Sequence, residues 1–203
     1  MPTRMLLLRH GTPEGAHTRR FIGHLDVPLA PEGEAEAAAA ARRLAAEPLA
    51  AVYTSDLART RRTAEIVAAP HRLQPIPLAE LREFAMGEWE GLTAEDIRAR
   101  DAAAFARWMA SVGEFQFPGG ESLPQVAARA WRAFTRIAAD HEGGSVAIVA
   151  HGGSNRAILC LALGMPLGRL LSLGQDYAAL SIVERRDGGA RWALLRLNER
   201  SRP

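Results

Sequence analysis

Short apolar runs alternate along this chain with longer segments in which apolar and polar residues are mixed. Apolar runs of about four to eight residues are typical of buried strands, and segments rich in Ala, Glu, Arg and Leu are typical of helices. Strands are predicted at residues 5–8, 51–54, 145–150, 179–185 and 191–197, with a brief extended piece at 75–78. Helices are predicted at residues 30–46, 57–69, 123–141 and 154–163. Strands that alternate with helices predict a layered α/β domain.

Residues at the ends of these elements give further local predictions. Ala30 stands at the start of the first helix and is a poor N-cap, so we expect that end to be less well held. Ser55 or Asp56 is predicted to cap the second helix, and Ser122 the third. An Asp-Gly-Gly turn at 187–189 is predicted to join the last two strands.

The segment from residue 83 to residue 120 breaks the alternation. It is irregular, apart from one helical stretch near 101–111 that contains Trp108. A chain of 203 residues suits one domain and can bury a real core. We therefore predict a single domain over residues 1–203, with an insertion at about 84–120 that covers the active site.

Composition narrows the class of protein. Hydrophobic residues make up 48% of the chain and charged residues 24%, which is a globular balance. The net charge is +2, all 25 basic residues are arginine, and no block of like charge suggests a nucleic-acid arm. No apolar run approaches the ~18 residues of a membrane span, and the N-terminus lacks signal-peptide features. We expect a cytoplasmic protein that binds neither membrane nor nucleic acid.

Two predicted strands end in the same kind of motif. Arg9-His10-Gly11 follows the first strand, and His151-Gly152 follows the strand at 145–150. In an open α/β sheet, ligands bind beyond the carboxyl ends of the strands, so both histidines should project into one crevice. Glycine after each histidine lets the backbone approach a ligand, and a helix start favours an anion there.

The charged residues near this crevice favour phosphate as the ligand. Arg9 neighbours the first histidine, and Arg59 lies in the first turn of the helix after the second strand. A phosphomonoester carries about −1.5 to −2 charges near neutral pH, and the arginine fork suits its oxygens. Neutral His10 could act as the nucleophile, and Glu83 is a candidate acid for the leaving oxygen. No acidic cluster with metal-ligand spacing accompanies them, so no metal is predicted.

Several motifs together resemble the histidine phosphatase superfamily, also called phosphoglycerate-mutase-like. They are LLRHG at 7–11, GHLDVPL at 23–29 followed by Glu32-Gly33, YTSDLART at 53–60, LREF at 81–84 with GEWEG at 87–91, PGGES at 118–122 and AHGG at 150–153. These motifs follow the family order over most of the chain. The resemblance implies a three-layer α/β/α sandwich around a mostly parallel mixed sheet.

The resemblance also implies roles for individual residues. His10 would form a phosphohistidine, and Arg9, Arg59 and His151 would bind the phosphoryl oxygens and stabilise their charge. Glu83 would be the proton donor. Further substrate contacts are expected from Thr12, Arg20, Gly23 and Gly152. Neither a metal nor an organic cofactor is implied, and the partner is a small-molecule phosphomonoester, with a homodimer as the assembly to test.

One stretch departs from the common family pattern. Many members carry an acidic residue, then Ser or Thr, and an Asn after the first motif, whereas this chain has Thr12, Pro13 and Ala16. A polar contact to phosphate is therefore missing or comes from Thr12, Arg19 or Arg20. Residues 13–15 and 19–23 look more like the α-ribazole phosphatase and broad-specificity phosphatase branch.

Two alternatives to a phosphatase stay open. A cofactor-dependent phosphoglycerate mutase would need a longer, lysine-bearing insertion than residues 91–118 provide. A catalytically silent phosphoester-binding domain would have lost core residues that are present here.

The remaining polar residues have structural interpretations, since His24 is expected to be a surface or structural residue and Asp26 and Glu121 to make loop hydrogen bonds.

Overall fold

A mixed six-stranded sheet forms the centre of the fold in the computed structural model, which describes residues 1–185 and 191–201. The strands are β1 (Thr3–Arg9), β2 (Leu49–Thr54), β3 (Ile76–Pro77), β4 (Ser145–Ala150), β5 (Leu180–Arg185) and β6 (Trp192–Glu199). Their order is β3-β2-β4-β1-β5-β6, in which β1 to β4 pair in parallel and β5 pairs antiparallel with both neighbours. The predicted α/β fold with a mostly parallel mixed sheet is confirmed.

Helices cover both faces of this sheet. They are α1 (Pro31–Leu44), α2 (Ala58–Ala68), α3 (Ala94–Arg100), α4 (Ala102–Ala110), α5 (Leu123–Asp140) and α6 (Gly152–Leu163). Successive side chains of a strand point to opposite faces. Accordingly, Met5 and Leu7 of β1 are buried in one core with residues of α5 and α6. Leu6 and Leu8 are buried in a second core with residues of α1 and α2, which gives the three layers.

The predicted cap of α2 is wrong. Leu57 occupies the N-cap position and provides no side-chain cap, while Asp56 pairs with Arg82. The exposed backbone N–H of Ala58 instead donates to Asp26 Oδ1 at 2.6 Å, from a loop 32 residues earlier in the chain. A distant carboxylate thus replaces the local cap, which confirms a hydrogen-bonding role for the Asp26 loop.

Other element boundaries also differ from the prediction. Helix α6 begins at Gly152 rather than Ser154, so that His151 is its N-cap residue. Ala30 is the N-cap of α1 and has no side-chain cap, as expected. The predicted turn at 187–189 lies outside the described residues. Within the described ranges, no helix combines the length and apolar character needed to cross a bilayer.

The segment at 84–120 contains more regular structure than its sequence suggested. Helix α3 was not predicted, although Thr93 and Asp96 form a capping box at its start. Aromatic rings pack this segment together, with Trp89 5.1 Å from Phe115 and 5.9 Å from Trp108 between ring centroids. This packing places the segment beside the carboxyl ends of the central strands, where its residue Met86 lines a cavity.

Candidate active site

A cavity of about 350 Å³ opens at the carboxyl ends of β1 and β4. These two strands are parallel neighbours, so the residues that follow them are brought together. Seven of the predicted site residues line the cavity, namely Arg9, His10, Arg20, Gly23, Arg59, Glu83 and His151. Ala16, Arg19, Phe21, Ile22, Met86 and Tyr177 complete the lining.

His10 is held in one orientation by the backbone. Its ring is 4% exposed, and Nδ1 lies 2.7 Å from the carbonyl oxygen of Gly11. Because a carbonyl oxygen can only accept, Nδ1 carries the proton and donates it, which leaves Nε2 with a free lone pair. Burial, with the nearby guanidinium groups of Arg9 and Arg59, holds the pKa of His10 well below its ordinary value. The ring is therefore neutral, with its lone pair on Nε2.

His151 faces His10 across the floor of the cavity. The ring centroids of the two histidines lie 5.1 Å apart, and the His151 side chain is fully buried. Its Nε2 lies 2.8 Å from the Ser55 hydroxyl, which fixes the ring plane. Burial and the Arg59 charge hold the pKa of His151 well below its ordinary value too. As the N-cap of α6, His151 also stands at a helix end that favours an anion.

The two arginines predicted to bind the phosphoryl oxygens, Arg9 and Arg59, are held by backbone carbonyl groups. Arg59 is 1% exposed, and its Nη1 and Nη2 donate to the carbonyl oxygens of Leu25 at 2.7 Å and Gly23 at 2.8 Å. Arg9 donates through Nη1 to the carbonyl oxygen of Gln175 at 2.6 Å, and its guanidinium lies 3.8 Å from the centre of the Tyr177 ring. Both cations are thus positioned before any substrate binds.

The Glu83 carboxylate is held by two backbone amides. The N–H of Gly153 donates to Oε2 at 2.9 Å, and the N–H of Phe84 donates to Oε1 at 3.1 Å. A Cβ at residue 153 would overlap Glu83 Oε1, so only glycine permits this approach. The carboxylate therefore lies against the first turn of α6, at the edge of the cavity that contains His10.

Comparison with known proteins identifies the family. The sequence profile of the histidine phosphatase superfamily (branch 1) matches residues 5–200. The chain belongs to the histidine phosphatase superfamily. The predicted resemblance is therefore confirmed.

Members of the histidine phosphatase superfamily similar to this chain differ in their names and lengths. Phosphoserine phosphatase 1 of Hydrogenobacter thermophilus is 31% identical over 195 residues, which cover 96% of this chain and 92% of that protein. The bifunctional protein Rv2228c of Mycobacterium tuberculosis is 38% identical over 184 residues, which cover 90% of this chain and 50% of that protein. The chain thus spans about half the length of some curated relatives. The crystal structure of the α-ribazole phosphatase from Shigella flexneri superimposes with a TM-score of 0.88 at 25% identity, covering 98% of this chain and 97% of the other.

Two predicted substrate contacts lie elsewhere in this histidine phosphatase. The backbone N–H and the hydroxyl of Thr12 both donate to Glu36 Oε2 on α1, at 2.8 and 2.9 Å. The Thr12 side chain is therefore hydrogen-bonded to α1. Gly152 is buried and does not line the cavity, although a Cβ at this residue would contact the Arg9 guanidinium. Of the three candidates to replace the missing family contact, Arg19 and Arg20 line the cavity and Thr12 does not.

Tyr177 was missed because no sequence motif surrounds it. It reaches the site because the N–H of Ala178 donates to the carbonyl oxygen of His10 at 3.1 Å, which attaches this loop to the end of β1. Its ring lies 5.6 Å from the His10 ring between centroids. Ser55 was named only as a cap, yet its contact with His151 makes it part of the site.

The charges around the cavity are mostly positive. Of the lining residues that the structure describes, four are arginines (Arg9, Arg19, Arg20 and Arg59) and one, Glu83, carries a carboxylate. Such an arrangement attracts a small anion with several oxygens. Among residues 1–185 and 191–201, no three His, Cys, Asp or Glu side chains are grouped to hold a metal ion.

The lowered pKa of His10 can be tested by proton NMR titration of the free protein. We expect the His10 ring resonance, assigned by its absence in His10→Ala, to stay unchanged from pH 7.5 to 6, because burial disfavours the charged form. In denaturant the same ring should titrate near ~6.5. The pKa is lower in the folded state, so this histidine contributes stability above pH ~6.5 that is lost as the pH falls. A folded-state midpoint at or above the denatured one would contradict this.

Proposed function

We propose that this chain is a phosphatase that hydrolyses small-molecule phosphomonoesters through a phosphohistidine at His10. The single observation that carries the proposal is the buried His10, whose Nδ1 is bonded to the Gly11 carbonyl oxygen and which lines one cavity with Arg9 and Arg59. Several relatives are phosphatases by name, phosphoserine phosphatase 1 among them, which supports a phosphoric monoester hydrolase.

The geometry accounts for two chemical steps. In the first, His10 Nε2 attacks phosphorus while the ester P–O bond breaks, and the Glu83 carboxyl group gives its proton to the departing oxygen. Arg9, Arg59 and His151 stabilise the charge on the transferring phosphoryl oxygens. In the second, water attacks phosphorus, Glu83 takes the water proton, and the P–N bond to His10 breaks to release phosphate.

A smaller apolar pocket next to the catalytic cavity supports a substrate class. Its volume is about 150 Å³, and it shares Phe21, Glu83 and Met86 with that cavity. Its other lining residues are Phe84, Trp108, Val112, Phe117, Gly153, Arg156, Leu170 and Leu171. A cavity of about this volume accommodates one benzene-sized ring. We therefore favour phosphomonoesters whose alcohol carries an apolar ring.

This preference can be tested with 2-phenylethyl phosphate and ethyl phosphate. Burial of a phenyl group contributes about 1.5–3 kcal/mol, so we expect kcat/KM to favour the phenylethyl ester by about 10- to 100-fold. Val112→Trp fills the pocket and should reduce that preference below about 3-fold, with ethyl phosphate little changed. Met109→Trp, on a side chain that is 65% exposed, is the matched control. An unchanged preference in Val112→Trp would place the ring elsewhere.

The physiological substrate is a separate proposal from the reaction type. Names among the solved neighbours support α-ribazole phosphate as one substrate, and names among the curated relatives support phosphoserine as another. Phosphate release should be measured across α-ribazole phosphate, phosphoserine, sugar phosphates, phosphoglycerates and nucleotides. Activity that requires a bisphosphorylated primer would favour the mutase alternative, and inertness across the panel would favour the silent binding domain. The cytoplasmic location and the homodimer stay predictions.

A further inference from the structure

Arg129 of helix α5 makes an unusual set of contacts with the segment that carries Glu83. Its Nη1 donates to the carbonyl oxygens of Glu80 at 2.8 Å and Arg82 at 2.7 Å, and its Nη2 donates to that of Glu83 at 2.6 Å. Its Nε and Nη2 also donate to the two carboxylate oxygens of Glu121, both at 2.7 Å. A guanidinium has five N–H donors, and these five acceptors use all of them.

Glu121 extends the network to the other side of Glu83. Its Oε2 accepts from the backbone N–H of Ala85 at 2.9 Å, and its own N–H donates to the Ala85 carbonyl oxygen at 2.7 Å. Arg129 and its hydrogen bonds hold the pKa of the Glu121 carboxyl group below its ordinary value, against the effect of burial. Residues 80–85 are therefore tied to one ion pair, which is 14% and 23% exposed at its two side chains.

His24 adds a further donor at the same point. Its Nε2 lies 2.7 Å from the carbonyl oxygen of Glu83, which also accepts from Arg129. The backbone of Glu83 is thereby fixed from two sides, whereas its carboxylate is fixed by the amides of Gly153 and Phe84. A carboxyl group that serves as acid must stay within hydrogen-bond reach of the departing oxygen, so a small shift of this backbone would move it out of position.

We propose that Arg129, through its ion pair with Glu121, is a positioning residue that sets the proton-donating geometry of Glu83. The proposal rests on the phosphatase function and on Glu83 as the acid. Arg129 touches neither the catalytic cavity nor the apolar pocket in the described residues. Its effect on kcat/KM, which covers the reaction up to phosphoryl transfer to His10, should therefore be larger for substrates whose leaving oxygen needs a proton.

The test compares two substrates that differ in their need for an acid. An alkyl phosphate has a poor leaving group and needs the proton, whereas p-nitrophenyl phosphate has a good leaving group and needs it little. Lysine has only three donors, so Arg129→Lys should lower kcat/KM for the alkyl ester by about 10- to 100-fold and kcat/KM for the aryl ester by less than about 3-fold. The ratio kcat/KM covers the reaction up to phosphoryl transfer to His10, and it excludes the later hydrolysis that both esters share.

A double variant and a matched control make the test decisive. Arg129→Lys combined with Glu83→Gln should be no slower on the alkyl ester than Glu83→Gln alone, because the two residues act on one step. Arg136→Lys is the control, since Arg136 lies on the same helix and forms a half-exposed ion pair with the Glu80 side chain. If Arg129→Lys does not fold, Glu121→Gln should show the same selectivity with a smaller loss.

Each unfavourable result would contradict a different part of the proposal. Equal losses on both esters in the Arg129 or Glu121 variants, or additive losses in the double variant, would show a merely structural role and overturn the proposal. A wild-type protein without activity on either ester would contradict the phosphatase function instead. Equal losses in Glu83→Gln would contradict only the role of Glu83 as the acid.

Discussion

His10→Ala is expected to lower kcat/KM for every phosphomonoester by on the order of 10⁴-fold or more. In the proposed mechanism, the variant removes the Nε2 lone pair that forms the bond to phosphorus. Loss of a covalent nucleophile typically costs orders of magnitude in rate.

Two further measurements separate lost chemistry from lost structure. Substrate labelled in its phosphoryl group should leave an acid-labile label on the wild-type protein and none on His10→Ala. His17→Ala, a change to an exposed histidine of the same loop region, should retain both the label and the activity. His10→Ala should still unfold cooperatively, with a reduced Tm from the cavity it creates. Near-full activity in this variant would refute the phosphohistidine mechanism.

The meeting of His10 and His151 could be predicted from the sequence because it depends on strand direction alone. Each follows a short apolar run that predicts a buried strand. Two neighbouring parallel strands place the residues that follow them at one edge of the sheet. The same reasoning extended to Arg59, since a helix that follows a parallel strand starts at that edge. The positions of these three residues could therefore be predicted without knowing the conformations of the loops.

Contacts that depend on loop conformation could not be predicted in this way. Tyr177 reaches Arg9 only because its loop binds the end of β1, and Asp26 caps α2 from a loop far away in sequence. Thr12 was expected at the phosphate, but Glu36 on α1 accepts from both of its donors. The acceptors of Arg129 are mostly backbone carbonyl groups, which every residue possesses. The sequence therefore does not indicate which residues Arg129 contacts.

Glu83→Gln should separate substrates by their leaving groups. For an alkyl phosphate, we expect kcat/KM to fall by about 10²- to 10⁴-fold, the usual contribution of a positioned acid. For p-nitrophenyl phosphate, the loss should be less than about 10-fold, because that leaving group departs without a proton. Steady-state kinetics on both esters, with Glu88→Gln as an exposed control from the same segment, measure the difference.

The glutamine also has a structural consequence that must be kept apart from the chemical one. Both carboxylate oxygens of Glu83 accept a backbone N–H, from Gly153 and from Phe84. A glutamine amide offers one oxygen and one NH₂ group, so one of these backbone donors loses its acceptor at a cost of about 1–3 kcal/mol. That cost lowers the stability of the fold, which the Tm reports, and it acts alike on both substrates. Only a loss that is larger for the alkyl ester than for the aryl ester therefore assigns the proton to Glu83, and equal losses would assign to the carboxylate no more than this structural contact.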